Sequence, residues 1–194
     1  DDIIVGTDDD FIHLVYDDGS TGFAYQTGDK IRSAPIVIYN GNEKIIVVGS
    51  KDGNLYALNA NGEIHFQFEA DDDIYTSPTV LVTSSDIMIF FGTDDGSLYA
   101  IDFYGNLKEG FPLTSNEQDV LLTFNSIEGS VVFEDLDANG MAEIIFGDAG
   151  GELHILSATD QTYSDFNYYN SLPFSNTFSY ASSLNIQDID NDGD

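Results

Sequence analysis

The chain has 194 residues with 35 Asp+Glu against 5 Lys+Arg, a formal net charge of −30, and no Cys or Trp. Phosphate contacts need Lys and Arg clusters, so nucleic acid is excluded as a partner, and an anionic membrane surface would repel the chain. Without Cys there are no disulfides, thiolate zinc sites or cysteine nucleophiles, while 42% hydrophobic residues, including 14 Phe and 11 Tyr, exclude a disordered chain.

No apolar run approaches the roughly 18 residues of a spanning helix. Neither end resembles a signal peptide, so the signal of an exported protein would lie outside this piece. Dense surface carboxylates attract cations, and one divalent ion among them relieves several repulsions at once.

Residues 1–31 hold Ile3-Ile4-Val5, Phe11 to Tyr16 and Gly22 to Gln26, short segments of branched and aromatic residues between Asp/Gly turns. The next unit begins at Ser33-Ala34-Pro35-Ile36-Val37-Ile38, and its counterpart is Ser77-Pro78-Thr79-Val80-Leu81-Val82. Lys44 to Gly49 and Asp86 to Gly92 supply second strands. Leu55-Tyr56-Ala57-Leu58 and Leu98-Tyr99-Ala100-Ile101 supply third strands, each entered through an Asp-Gly turn. Ile64 to Phe68 and Leu107 to Leu113 supply fourth strands. A further unit opens at Gly129 to Phe133 and ends in Tyr163 to Tyr169. Only Asn116 to Leu122 has an ambiguous helical pattern.

Gly6, Gly49, Gly92 and Gly147 close the second strands of four such units, at spacings of 43, 43 and 55 residues. The first two match the roughly 40–45 residues of a propeller blade. The fold expected is all-β: a β-propeller of four-stranded antiparallel blades, four per chain. The blades run over 32–75, 76–127, 128–178, and 179–194 plus 1–31. Pairing of the N- and C-terminal strands closes the ring and removes an exposed edge. Alternatively, two chains pair into a larger ring, as a homodimer.

Asp135-x-Asp137-x-Asn139-Gly140-x-x-Glu143 carries the strongest chemistry. Oxygens at alternate positions converge when glycine lets the backbone turn sharply; the Met141 carbonyl adds a ligand and Glu143 closes the shell. Hard oxygen donors in a flexible loop select Ca²⁺. Phe146 stands where an EF-hand places its bidentate Glu, so this is no EF-hand. A second copy supplies Asp188, Asp190, Asp192 and the Asp194 carbonyl. Its ninth position falls on Asp2, so that site is complete only if the termini meet or another chain supplies Asp2.

This loop, leading into Ile144-Ile145-Phe146-Gly147, resembles the FG-GAP repeat of integrin α-chain propellers and of many bacterial surface proteins. Gly49-Ser50-Lys51-Asp52-Gly53-Asn54-Leu55-Tyr56-Ala57-Leu58 resembles quinoprotein-type (PQQ-like) propeller repeats, and Gly110-Phe111-Pro112 a strand common in secreted bacterial repeats. The resemblance implies calcium at Asp135, Asp137, Asn139, Met141 and Glu143, and at Asp188, Asp190, Asp192, Asp194 and Asp2. A quinone-dependent dehydrogenase is not expected, because no quinone pocket is evident.

His13, Tyr56, Tyr99 and His154 share one place in the four units. They form either a ligand-binding ring or one packing niche between blades, and repeat-equivalent residues usually share a structural job. The triplets Asp8-Asp9-Asp10 and Asp71-Asp72-Asp73 read as solvated turns, or as weak cation sites. No Ser/His/Asp set and no phosphate-cradling loop is present, so an enzyme is not expected. The role expected is an extracellular or cell-surface interaction module, secreted or surface-bound, that recognises a protein or glycan. A polysaccharide-active lyase or hydrolase and a passive assembly domain are the alternatives.

Overall fold

A computed structural model describes residues 2–114, 125–158, 166–173 and 184–187. The described residues form fourteen strands in four antiparallel sheets. The first sheet contains β1 (Ile3–Gly6), β2 (Phe11–Val15) and β3 (Thr21–Gln26). The second contains β4 (Ile36–Asn40), β5 (Glu43–Gly49), β6 (Asn54–Asn59) and β7 (Ile64–Glu69). The third contains β8 (Thr79–Val82), β9 (Ile87–Gly92) and β10 (Leu98–Asp102). The fourth contains β11 (Val132–Glu134), β12 (Glu143–Gly147), β13 (Glu152–Ala158) and β14 (Phe166–Pro173). Each sheet is a meander in which sequence neighbours pair.

Tight turns make this order cheap. Between β5 and β6 the Gly53 N–H donates to the Ser50 carbonyl at 3.3 Å, with Gly53 at φ 79°, a backbone state that costs glycine nothing.

The second strands are buried along most of their length, because sheets cover both of their faces. Alternate residues serve opposite neighbours. Val48 packs with Ile12 of the first sheet, whereas Val47 packs with Ile89 and Phe91 of the third. Phe91 thus faces the second sheet, and adjacent Phe90 faces Ile144 and Phe146 of the fourth. A register slip of one residue would exchange these partners, so the packing of each sheet fixes the register of the next.

Linkers tie successive sheets by one repeated device. Ile31, Ile74 and Ile127 donate their N–H groups to the carbonyls of Thr7, Ser50 and Thr93 in the preceding sheet, at 3.1, 3.1 and 3.0 Å. The carbonyls of Lys30, Asp73 and Ser126 accept from Lys51, Asp94 and Ala149 of the following sheet, at 3.0, 3.0 and 2.8 Å. The three isoleucine side chains fill the space where Gly6, Gly49 and Gly92 would carry a Cβ. Buried hydroxyls finish the strand ends: Ser33 Oγ donates to the Gly49 carbonyl (2.9 Å) and accepts its N–H (2.8 Å), and Thr76 does the same for Gly92.

First strands meet around a cavity of about 590 Å³, lined by Ile36, Thr79 and Val132 at equivalent positions and by Asn185. Residues 184–186 therefore lie beside β4, β8 and β11.

Two expected strands differ. The stretch Leu107 to Leu113 makes only the isolated bridges Ile101↔Leu107 and Leu98↔Leu113. Gly110 at φ 85° turns the chain between them, and Pro112 has no N–H to continue a ladder. The closing strand of the fourth sheet spans Phe166–Pro173 and so runs on past Tyr169, while residues 163–165 of the expected strand lie outside the described residues; its pairing to β13 includes an irregularity between Ile155 and Leu156. Asn116 to Leu122 lies outside the described residues.

Candidate metal centre

Glu134 and Glu143 are cross-strand partners at the end of the β11–β12 ladder, and residues 135–142 form the loop between them. Ala138 (φ 56°) and Gly140 (φ 87°) turn the backbone so that successive N–H groups meet side-chain oxygens. The Asn139 N–H donates to Asp135 Oδ1 at 3.0 Å and to Asp137 Oδ1 at 3.1 Å. The Gly140 N–H donates to Asp135 Oδ2 (2.8 Å), and the Met141 N–H to Asn139 Oδ1 (2.8 Å). Asn139 Nδ2 also donates to Asp137 Oδ2 at 2.9 Å.

Glu143 stands apart from half-buried Asp135 and exposed Asp137 and Asn139: it is 3% exposed. One carboxylate oxygen, Oε2, accepts the Leu136 N–H at 2.7 Å, while Oε1 is buried and has no hydrogen-bond partner. One oxygen each from Asp135, Asp137 and Glu143 lie within 4.8 Å of one another. Like charges this close repel by ~1 kcal/mol in water, and by several-fold more where solvent is partly excluded. A buried carboxylate oxygen without a donor is costly unless a cation or proton meets it.

Of the residues picked out by spacing, Asp135, Asp137 and Glu143 converge. Asn139 is bonded to Asp137 and to the Met141 amide. Met141 lines a cleft of about 330 Å³ shared with Thr83, Ser84 and Ser85. Of the second copy, Asp2 is exposed just before β1, and Asp188, Asp190, Asp192 and Asp194 lie outside the described residues.

A second acidic group was not legible as a cluster. Asp148, Glu152 and His154 also place one donor atom each within 4.8 Å. Asp148 is fully buried and already well supplied: its oxygens accept from Asn125 N–H (2.9 Å), Asn125 Nδ2 (3.1 Å) and Glu152 N–H (3.0 Å), with His154 Nε2 at 3.3 Å. Burial works to raise its pKa, but the hydrogen bonds from His154, Asn125 and Glu152 outweigh it and hold the carboxyl well below the usual range.

The same niche recurs. Tyr56 donates to Asp52 Oδ2 (2.6 Å), which also takes the linker N–H of Gly28 (2.6 Å). Tyr99 donates to Asp71 Oδ2 at 2.8 Å and accepts the Asp71 N–H at 3.2 Å. Tyr56, Tyr99 and His154 thus bind carboxylates that fasten linkers to hairpins, a structural job. Burial and the bond to Asp71 push the Tyr99 pKa up to about 12.

The acidic triplets are also wired rather than merely solvated. Arg32 pairs with Asp8 (Nε–Oδ1 2.8 Å), and Lys51 lies 3.6 Å from Asp73 and over the Tyr75 ring.

No protein-family model matches the chain, and no curated protein matches it significantly. Solved structures do. The C-terminal domain of PilY1 from Pseudomonas aeruginosa is similar with a TM-score of 0.61 and 18% identity, over 82% of this chain and 39% of that one. BamB from Moraxella catarrhalis is similar with a TM-score of 0.59 and 18% identity, over 94% of this chain and 51% of that one. The computationally designed Ika4 protein gives 0.55 and 16%, over 79% and 83%. The fold is a β-propeller. At such identity the likeness is one of fold alone, and this propeller chain spans only about two fifths and one half of the two natural neighbours.

Proposed function

We propose that the chain is a calcium-stabilised propeller acting as an extracellular or cell-surface interaction module for a protein or glycan. The observation that carries this reading is Glu143 Oε1: buried, without a partner, and grouped with Asp135 and Asp137. An all-oxygen, triply anionic set suits a hard cation. Asp135, Asp137 and Glu143 would hold Ca²⁺, with Asn139 and the Met141 carbonyl completing the shell as in an FG-GAP-type loop. The ion would neutralise the carboxylates and pin the loop. Under this reading four blades close into one ring, with residues 184–187 in the first strand of the last blade; their place beside β4, β8 and β11 supports it.

Thermal unfolding with calcium and with chelator tests the reading. Calcium at one hundred times its Kd adds about 2.7 kcal/mol, a rise in Tm of roughly 5–10 °C for a domain of this size. Asp137→Asn should abolish most of the rise. Equal melting of the wild type in both buffers would refute the clamp.

A further inference from the structure

We propose that a cleft beside the candidate calcium loop, flanked by Tyr39 and Tyr104, is a binding site for a neutral saccharide. This rests on the interaction-module reading and names its ligand class. The cleft has a volume of about 480 Å³, within the roughly 300–1,000 Å³ of small-molecule sites. Its walls come from the β4–β5 turn, the β8–β9 turn and the turn after β10.

Large apolar side chains are concentrated here at unusual exposure. Tyr39 is 68% exposed, Val82 64% and Tyr104 60%, three of the four most exposed large hydrophobic residues among those described. A folded chain leaves such a group in water at a cost, and a patch rimmed by polar residues marks a binding surface. The rim is supplied by Asn40, Ser84 and Ser85. Neither their side chains nor the hydroxyls of Tyr39 and Tyr104 make a hydrogen bond among the described residues. Two aromatic faces with unspent hydroxyl and amide groups match a sugar, whose C–H faces pack on rings while its hydroxyls need donors and acceptors.

Charge selects within that class. The cleft contains Asp86 and Asp102, and the chain carries a net −30, so uronates and sulfated glycans are repelled. Both carboxylates are already committed: Asp86 to Lys108 and the Ile87 N–H, Asp102 to the Tyr104 and Asn106 amides. Lys108 thus compensates Asp86, and Asp102 alone keeps an uncompensated charge, which disfavours an anionic sugar but offers a basic peptide a single contact, so a neutral polyol is the ligand that fits the aromatic and hydroxyl lining.

Calorimetric titration with cellohexaose, maltohexaose, xylohexaose, chitohexaose and hexagalacturonate tests this, with each titration run in calcium and in chelator. The expected result is submillimolar binding of at least one neutral oligosaccharide. Tyr39→Ala and Tyr104→Ala should each weaken it at least 10-fold at unchanged Tm, with hexagalacturonate not bound. Failure of all the neutral sugars, equal binding by both variants, or preference for hexagalacturonate would overturn the proposal. Tm in the same samples reports the calcium clamp separately. Calcium stabilisation without sugar binding removes the cleft alone, and sugar binding without a calcium response removes the clamp alone.

Discussion

The Tyr99 hydroxyl, on β10 of the third sheet, donates to the Asp71 carboxylate at 2.8 Å in the linker leaving the second. The Tyr99 ring is 3% exposed and stacks on Phe91 with centroids 5.1 Å apart. One residue thus closes the apolar seam between two sheets and fastens the linker over it. Tyr99→Phe keeps the ring and loses the bond, and should cost about 1 kcal/mol, read from urea unfolding. The pH dependence has a definite sign. Because the folded pKa is raised to about 12, its contribution is full below the unfolded value near 10 and is lost as pH rises through 12. Tyr99→Phe should flatten stability over that alkaline window.

Glu143 sets the response to calcium. Glu143→Gln removes a buried charge and should make the protein in chelator at least as stable as wild type, while erasing most of the gain from added calcium. Paired melts with and without the ion check this. A variant that keeps the full calcium gain would place the ion elsewhere.

The Gly49–Ile74 contact predicts a steric conflict. A methyl at position 49 overlaps the Ile74 side chain, so Gly49→Ala should destabilise by about 1–3 kcal/mol, the usual cost of overpacking. Ile74→Ala alone leaves a cavity and should cost about 2–4 kcal/mol. The double variant should cost less than the sum of the two, and a double-mutant cycle in urea measures the difference.

Asp148 predicts behaviour in acid. Its folded pKa is depressed, so its contribution is present above the unfolded carboxylate value near 3.9 and is lost as pH falls through the folded value. Asp148→Asn should cost about 2 kcal/mol at pH 7, the scale of hydrogen bonds to a charged group. The loss should shrink below pH 4, and stability curves from pH 7 to pH 2 provide the check.

Much of the architecture was legible because repetition amplifies weak local signals. The equal spacing of Gly6, Gly49 and Gly92, together with the apolar runs Ile45–Val48 and Ile87–Phe91, placed the second strands. Pairings across linkers were not legible. Nothing local links Ile74 to Gly49 or Asp71 to Tyr99, since those contacts depend on how one sheet lies against the next. The Asp135, Asp137 and Glu143 convergence could be read from alternate spacing, because a short turn brings such positions together whatever surrounds it. The burial of Glu143, which makes the loop more than an acidic turn, goes with its place at the start of β12, a strand buried along its whole length. Leu107 to Leu113 looked like a strand by composition, but a glycine turn and a proline decide it.

The isoleucine linkers bear on how the chain acquires its shape. Each one closes back onto the sheet that precedes it in sequence, through Thr7, Ser50 and Thr93, and its side chain also packs in the core shared with the sheet that follows. Closure between sheets that are neighbours in sequence, rather than across the whole chain, suits stepwise assembly. A nascent chain can therefore secure its structure in sequence from the amino end, like a zip, and the hairpin tips can diversify without disturbing that progression.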